Sequence, residues 1–160
     1  MLFRSPDQVT LVPDAAHALT SDSGWNTIAH QSFLRDIVQG LQQSGIRTSI
    51  FIGTEPRFIE AAAKTETDRI ELYTGPYAHN YSKNKDVAVH PFREAAKLAQ
   101  SLGLGVNAGH DLSLENLRFF IEQIPFINEV SIGHALISDA LYFGLEKTIK
   151  MYLNECIYKD

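Results

Sequence analysis

Four places in the sequence carry groups that could do chemistry: Thr20, Glu71, His110 and the pair Gly133-His134. His110 stands between Gly109 and Asp111 in a segment that reads as a loop after a strand, where an imidazole can give or take a proton near neutral pH. The alternative is a surface-loop histidine. Glu71 lies in Arg69-Ile70-Glu71-Leu72-Tyr73, where Ile70 and Leu72 share one face of a strand and Glu71 shares the other with Arg69 and Tyr73. If that second face is an interior, a carboxylate there is costly unless bonded. Glu71 is then either a site residue or half of a buried ion pair with a residue such as Arg69. Gly133-His134 joins a strand to a helix, where an open backbone and free helix amides can hold a phosphate, although short glycine turns are also common as plain connections.

The rest of the chain is poor in reactive arrangements. His17, His30, His79 and His90 have no partner at metal-ligand spacing and read as surface or capping residues, His90 preceding Pro91 near a helix start. There is no dinucleotide fingerprint, no Walker loop and no Gly-x-Ser-x-Gly elbow, and Cys156 has no base near it in sequence. A lone cysteine excludes an internal disulfide and a Cys-rich metal site.

The elements that must position these groups alternate. Val9 to Val12 reads as a strand, followed by a long Ser-, Thr- and Asp-rich loop to Thr27. Apolar residues from Gln31 to Leu41 fall at helical spacing, and Ser44-Gly45 stops that helix. Strand Thr48–Ile52 and a helix over 55–64 follow, then strand Arg69–Tyr73, a loop through Tyr77 to Asn80, and a helix from about Val87 to Ser101. Strand Leu104–Ala108 leads to a helix starting near Ser113, whose hydroxyl and Asn116 resemble an incomplete capping box. Strand Glu129–Ile132 then leads through Gly133-His134 into a C-terminal helix. Strict alternation with short apolar strands predicts an α/β fold, a parallel sheet with helices packed outside it. Such a pattern suits either a doubly wound open sheet or the last part of a (β/α)₈ barrel, and periodicity does not choose between them.

The 160 residues are 44% hydrophobic and 21% charged, the balance of an ordinary globular domain. A formal net charge of -5 and the absence of basic runs argue against nucleic acid and membrane surfaces as partners. With one cysteine and no apolar signal core near Met1, a cytoplasmic setting is expected.

Taken together, Leu11-Val12-Pro13-Asp14, Ile70-Glu71-Leu72-Tyr73-Thr74-Gly75, Val106-Asn107-Ala108-Gly109-His110-Asp111-Leu112 and Ser131-Ile132-Gly133-His134-Ala135 resemble the pyridoxine 5'-phosphate synthase family, in its order and at compatible spacing. The resemblance implies a TIM barrel, with residues 1–160 covering strands four to eight. It also implies a homo-oligomer, an octamer in the family, and no cofactor and no metal. The implied reaction joins two phosphorylated small-molecule substrates, 1-deoxy-D-xylulose 5-phosphate and 3-amino-2-oxopropyl phosphate, into pyridoxine 5'-phosphate with release of phosphate and water. By position, His110 resembles the proton donor and Glu71 the transition-state-stabilising carboxylate. Thr20 resembles a contact to the deoxyxylulose phosphate, and Gly133 and His134 the phosphate-binding pair. Asp111 falls where many members have glycine and bind the aminooxopropyl phosphate, a contact that a backbone N–H can make. The family's first three strands carry an Asn-x-Asp-His motif, a histidine followed by arginines, and a Glu, which include two proton acceptors and substrate contacts, and none of these has a counterpart in this sequence. The chain is therefore expected to be inactive alone, and the competing expectation is a barrel fragment or subunit with no activity of its own.

Overall fold

The computed structural model describes residues 6–14 and 20–157; His17 lies outside them. Strand β1 (Gln8–Leu11) is followed by α1 (Gln31–Gln43), β2 (Arg47–Ile52), α2 (Pro56–Ala63) and β3 (Arg69–Tyr73). Then come α3 (Gly75–Tyr81), α4 (Lys85–Ser101), β4 (Gly105–Gly109), α5 (Leu117–Gln123), β5 (Glu129–Ser131), α6 (His134–Phe143) and α7 (Leu145–Cys156). The five strands pair in chain order, every pairing parallel. A helix must carry the chain back between parallel neighbours, and this is what the strand-helix alternation encodes.

Alternate residues of each strand face opposite ways. Ile50, Ile52, Ile70, Leu72, Val106 and Ala108 point outward to the helices and are buried with Leu34, Val38, Ile59, Phe92 and Phe120 in one core. The opposite face is polar and concave. In a flat sheet with strands about 4.8 Å apart, β1 and β5 would lie about 19 Å from each other, too far for two side chains to meet. Yet Gln8 Nε2 on β1 donates to Glu129 Oε2 on β5 at 2.9 Å, so the sheet is curled like half a barrel. Glu129 is the hub of that inner face. Its Oε1 accepts from Arg69 at 2.8 Å and from Arg47 at 3.0 Å, and Asn107 Nδ2 lies 3.4 Å from Oε2. One carboxylate thus ties β5 to all four other strands.

Several local expectations are corrected. The loop expected through Tyr77 to Asn80 is helix α3: Pro76 occupies its first turn, where a missing N–H costs nothing, and Tyr77 is fully buried against Tyr81, Phe92 and Phe120. His90 lies inside α4 rather than near its start, and Pro91 is accommodated within that helix. Helix α5 begins at Leu117, four residues later than expected from Ser113, because Asn116 Oδ1 accepts from Ser113 N at 2.9 Å and closes a separate turn. The single C-terminal helix is two, broken at Gly144, whose φ of 82° belongs to the left-handed region. Tyr152 on α7 donates to Asp139 on α6 at 2.8 Å across that break. No helix among the described residues is long and apolar enough to cross a membrane.

Candidate active site

Parallel strands all end on the same side of a sheet, so whatever follows β1, β3, β4 and β5 converges there. Glu71, His110, Asp111, Ser131, Ile132, Gly133 and His134 line one cleft of about 370 Å³. Thr20 joins them through its hydroxyl, 2.8 Å from His110 Nε2. The loop that carries Thr20 is fastened to the strand tips by Trp25, whose amide donates to Phe51 O at 2.9 Å and whose indole donates to Leu11 O at 3.1 Å. The six residues singled out from the sequence are therefore neighbours. A larger cavity of about 420 Å³, lined by Trp25, Glu55, Phe58, Tyr73 and others, includes none of them.

Glu71 is buried, 8% exposed, on the concave face. Burial pushes its carboxyl above the ordinary value of 4.5; hydrogen bonds with Thr10 and Ser131 and the nearby imidazole of His110 pull it back, while the charge of Glu129 adds to the rise. Thr10 Oγ1 donates to Glu71 Oε2 at 2.9 Å. The ion pair with Arg69 weighed from the sequence is not formed, since Arg69 turns to Glu129 and Asn107 instead. Beneath the carboxylate runs the bare backbone of Gly109, where a Cβ would collide with Glu71 Oε1.

His110 and Asp111 have φ of 83° and 55°, a left-handed pair of non-glycine residues that costs about 1–2 kcal/mol each. Successive amides in such a turn point to one side and form a small anion-binding concavity. The imidazole packs edge-on against Tyr73, ring centres 5.3 Å apart, with Phe51 6.3 Å away. Its Nδ1 is buried and finds no hydrogen-bond partner among the described residues; Asp111 Oδ2, 3.6 Å away, is near enough for attraction but beyond a hydrogen bond. Gly133 caps α6 without a side-chain bond, and open space surrounds its Cα, so a ligand has room beside the first helical amides. His134, Gly133 and Ser131 are exposed to the cleft opening.

Thr10, Tyr73, Thr74, Ser131 and Glu129 were not singled out from the sequence. Alternation along β5 does place Ser131 beside Glu129 on the inner face, and the charged residues opening β2, β3 and β5 (Arg47, Arg69, Glu129) were a signal for an inner ion-pair network. Three of the other histidines are exposed, with His30 at the N-cap of α1 and His79 in the last turn of α3, as surface or capping residues should be.

A family profile described as pyridoxal phosphate biosynthesis protein PdxJ matches residues 1–158. Curated relatives carry the name pyridoxine 5'-phosphate synthase. The protein of Parabacteroides distasonis is 62% identical over 147 residues, 92% of this chain and 62% of its own length. That of Cytophaga hutchinsonii is 57% identical over 150 residues, 94% of this chain and 63% of its own. That of Christiangramia forsetii is 57% identical over 148 residues, 92% and 62% respectively. The chain spans less than two thirds of the length of these relatives.

Proposed function

The chain belongs to the PdxJ family of pyridoxal phosphate biosynthesis proteins, and from that premise we propose that it supplies the C-terminal part of a pyridoxine 5'-phosphate synthase. The substrates are 1-deoxy-D-xylulose 5-phosphate and 3-amino-2-oxopropyl phosphate, with no metal or organic cofactor, in the cytoplasm. The observation that carries this reading is the meeting of Glu71, His110 and Gly133-His134 in one cleft at the strand ends.

In this reading residues 1–160 form one partial barrel, strands four to eight of eight. The inner face supports it. A (β/α)₈ interior is layered, with four side chains per layer from alternate strands, and Thr10, Glu71 and Ser131 come from β1, β3 and β5 and are joined by hydrogen bonds. A fourth member is then owed by a strand outside this chain.

The chemistry needs an amine to add to a ketone, a dehydration, loss of phosphate and ring closure, each with proton transfers. His110 delivers a proton, and the Thr20 hydroxyl bonded to its Nε2 reaches the deoxyxylulose phosphate. Positive charge develops on nitrogen as amine and ketone condense, and Glu71, ionised, stabilises it from the inner wall. The first amides of α6, with Gly133 leaving space, take one phosphate, and the amides of the turn at His110 and Asp111 take the other. An exposed Asp111 carboxylate would repel a phosphate, so its contact is through the backbone.

The test is a coupled assay with both substrates, run on the chain alone and mixed with a chain carrying the family's first three βα units. The chain alone should make no product and should self-associate through the outer edges of β1 and β5. The mixture should make pyridoxine 5'-phosphate, with the two chains joined in reassembled barrels that associate as the complete protein's homo-oligomer would. Product from the chain alone would remove the partial-barrel reading. A folded mixture without product would leave a structural subunit rather than a synthase.

A further inference from the structure

Thr74 occupies the N-cap of α3, where a threonine hydroxyl ordinarily accepts from an amide of the first helical turn. It makes no such bond. Its hydroxyl instead donates to Gly109 O at 2.7 Å, shared with the carbonyl of His110, while its amide donates to Gly109 O at 2.9 Å. The residue is fully buried. What it grips is the one pair of consecutive left-handed non-glycine residues among those described, His110 and Asp111. Tyr73, the preceding residue on the same strand, lies against the His110 ring. The end of β3 thus holds this histidine twice, by its backbone through Thr74 and by its ring through Tyr73.

We propose that Thr74 is a positioning residue for His110. Its hydroxyl gives up the helix cap to hold the turn in its left-handed form, and that turn sets the direction of the imidazole toward Thr20 and the cleft. Without the hydroxyl, the backbone relaxes toward ordinary φ, and the ring leaves Tyr73 and Thr20. The catalytic consequence rests on the synthase reading given above; the structural consequence does not.

The experiment compares Thr74→Val, which keeps the shape and removes the hydroxyl, with Thr74→Ser, which restores it. The chain is labelled with ¹⁵N-histidine, unlabelled complementing units are added, and ring nitrogen shifts are read by NMR, the His110 signals being those lost in His110→Asn. Thr74→Val should move the His110 nitrogens to the averaged shifts of a free, tautomerising imidazole and leave His30, His79 and His90 in place; Thr74→Ser should return them. In the reconstituted synthase, kcat should fall about 10-fold in Thr74→Val with KM nearly unchanged, as expected when a reacting group loses its alignment. A folded Thr74→Val protein with native His110 shifts overturns the proposal, as does a loss confined to KM. If Thr74→Val does not fold, the same pair is compared in an Asp111→Gly background, where one left-handed residue no longer costs strain; native ring shifts there also overturn it. A mixture without synthase activity leaves the NMR result decisive, so failure of the function and failure of the positioning role are told apart.

Discussion

The two faces of the same five strands are built on opposite principles. On the convex face, Ile50, Ile52, Ile70, Leu72, Val106 and Ala108 pack against helices and lose almost all contact with water. On the concave face, Gln8, Arg47, Arg69, Asn107 and Glu129 are held by directed bonds, and those from Gln8, Arg47 and Arg69 to Glu129 join strands that are not adjacent. The first arrangement stabilises by area and tolerates no loss of volume. The second ties the strands together near their starts, while farther along the same face Glu71 and Ser131 line the cleft at the strand ends. Apolar packing and polar bonding therefore sit one residue apart along the strands.

Four substitutions probe that division. Leu72→Ala, on the convex face, should cost about 2–5 kcal/mol in urea unfolding, because a fully buried leucine leaves a cavity. A cost under about 1 kcal/mol would mean the convex face is not the core of this fold. His110→Asn should behave in the contrary way. In the reconstituted enzyme it should lower turnover by at least about 10²-fold, the contribution of a general acid, while the unfolding midpoint barely moves. Near-normal turnover would return His110 to a surface-loop role.

Glu129→Gln tests whether the concave network is structural. Losing one charge faces Arg47 and Arg69 with a neutral amide, and the expected cost is about 1–3 kcal/mol, since Arg69 is mostly buried and its guanidinium loses its ionic partner. The cost should hold in high salt if the pair with Arg69 is shielded from solvent, and vanish there if both arginines are effectively exposed.

The smallest effect should come from Glu71→Gln, and it should depend on pH. The folded protein holds the Glu71 carboxyl above its ordinary 4.5 because burial disfavours the charge. The protonated form therefore binds its proton more tightly folded than unfolded. Its stabilising contribution is complete below about 4.5 and is lost as pH rises through the elevated folded value. Glu71→Gln, which cannot ionise, should be at least as stable as the parent at neutral pH, with the advantage shrinking as pH falls toward 4. Melting curves across that range decide it, and an advantage that grows on acidification would reverse the sign.

The strands were readable because each is a short apolar run bounded by polar residues: β3 lies at Arg69–Tyr73, where alternation puts it, and the others agree within a residue or so. Convergence of the site was readable too, since in a parallel sheet every group placed after a strand shares one rim. Helix α3 was not, because Gly75-Pro76 looks like punctuation, and what makes it a helix is Tyr77 entering an aromatic cluster and donating to Asn116 O at 2.7 Å, far along the chain. The Thr20 to His110 contact spans 90 positions and the Gln8 to Glu129 contact spans 121, and both depend on the curl of the whole sheet. His and Asp are among the non-glycine residues that most readily take a positive φ, but their types alone do not say that His110 and Asp111 do so together. The bonds from Thr74 that accompany the turn come from a residue 35 positions away.

The contact between Gly109 and the Glu71 carboxylate carries a consequence for how this sequence can drift. Any side chain at 109 would occupy the space of Glu71 Oε1, so a mutation to alanine there is tolerable only after Glu71 has been shortened or turned away. A lineage that abandons the carboxylate frees position 109 to vary, whereas one that keeps it is held to glycine. Among descendants of this protein, an alanine at 109 would serve as a genetic marker that the glutamate has been released from its task.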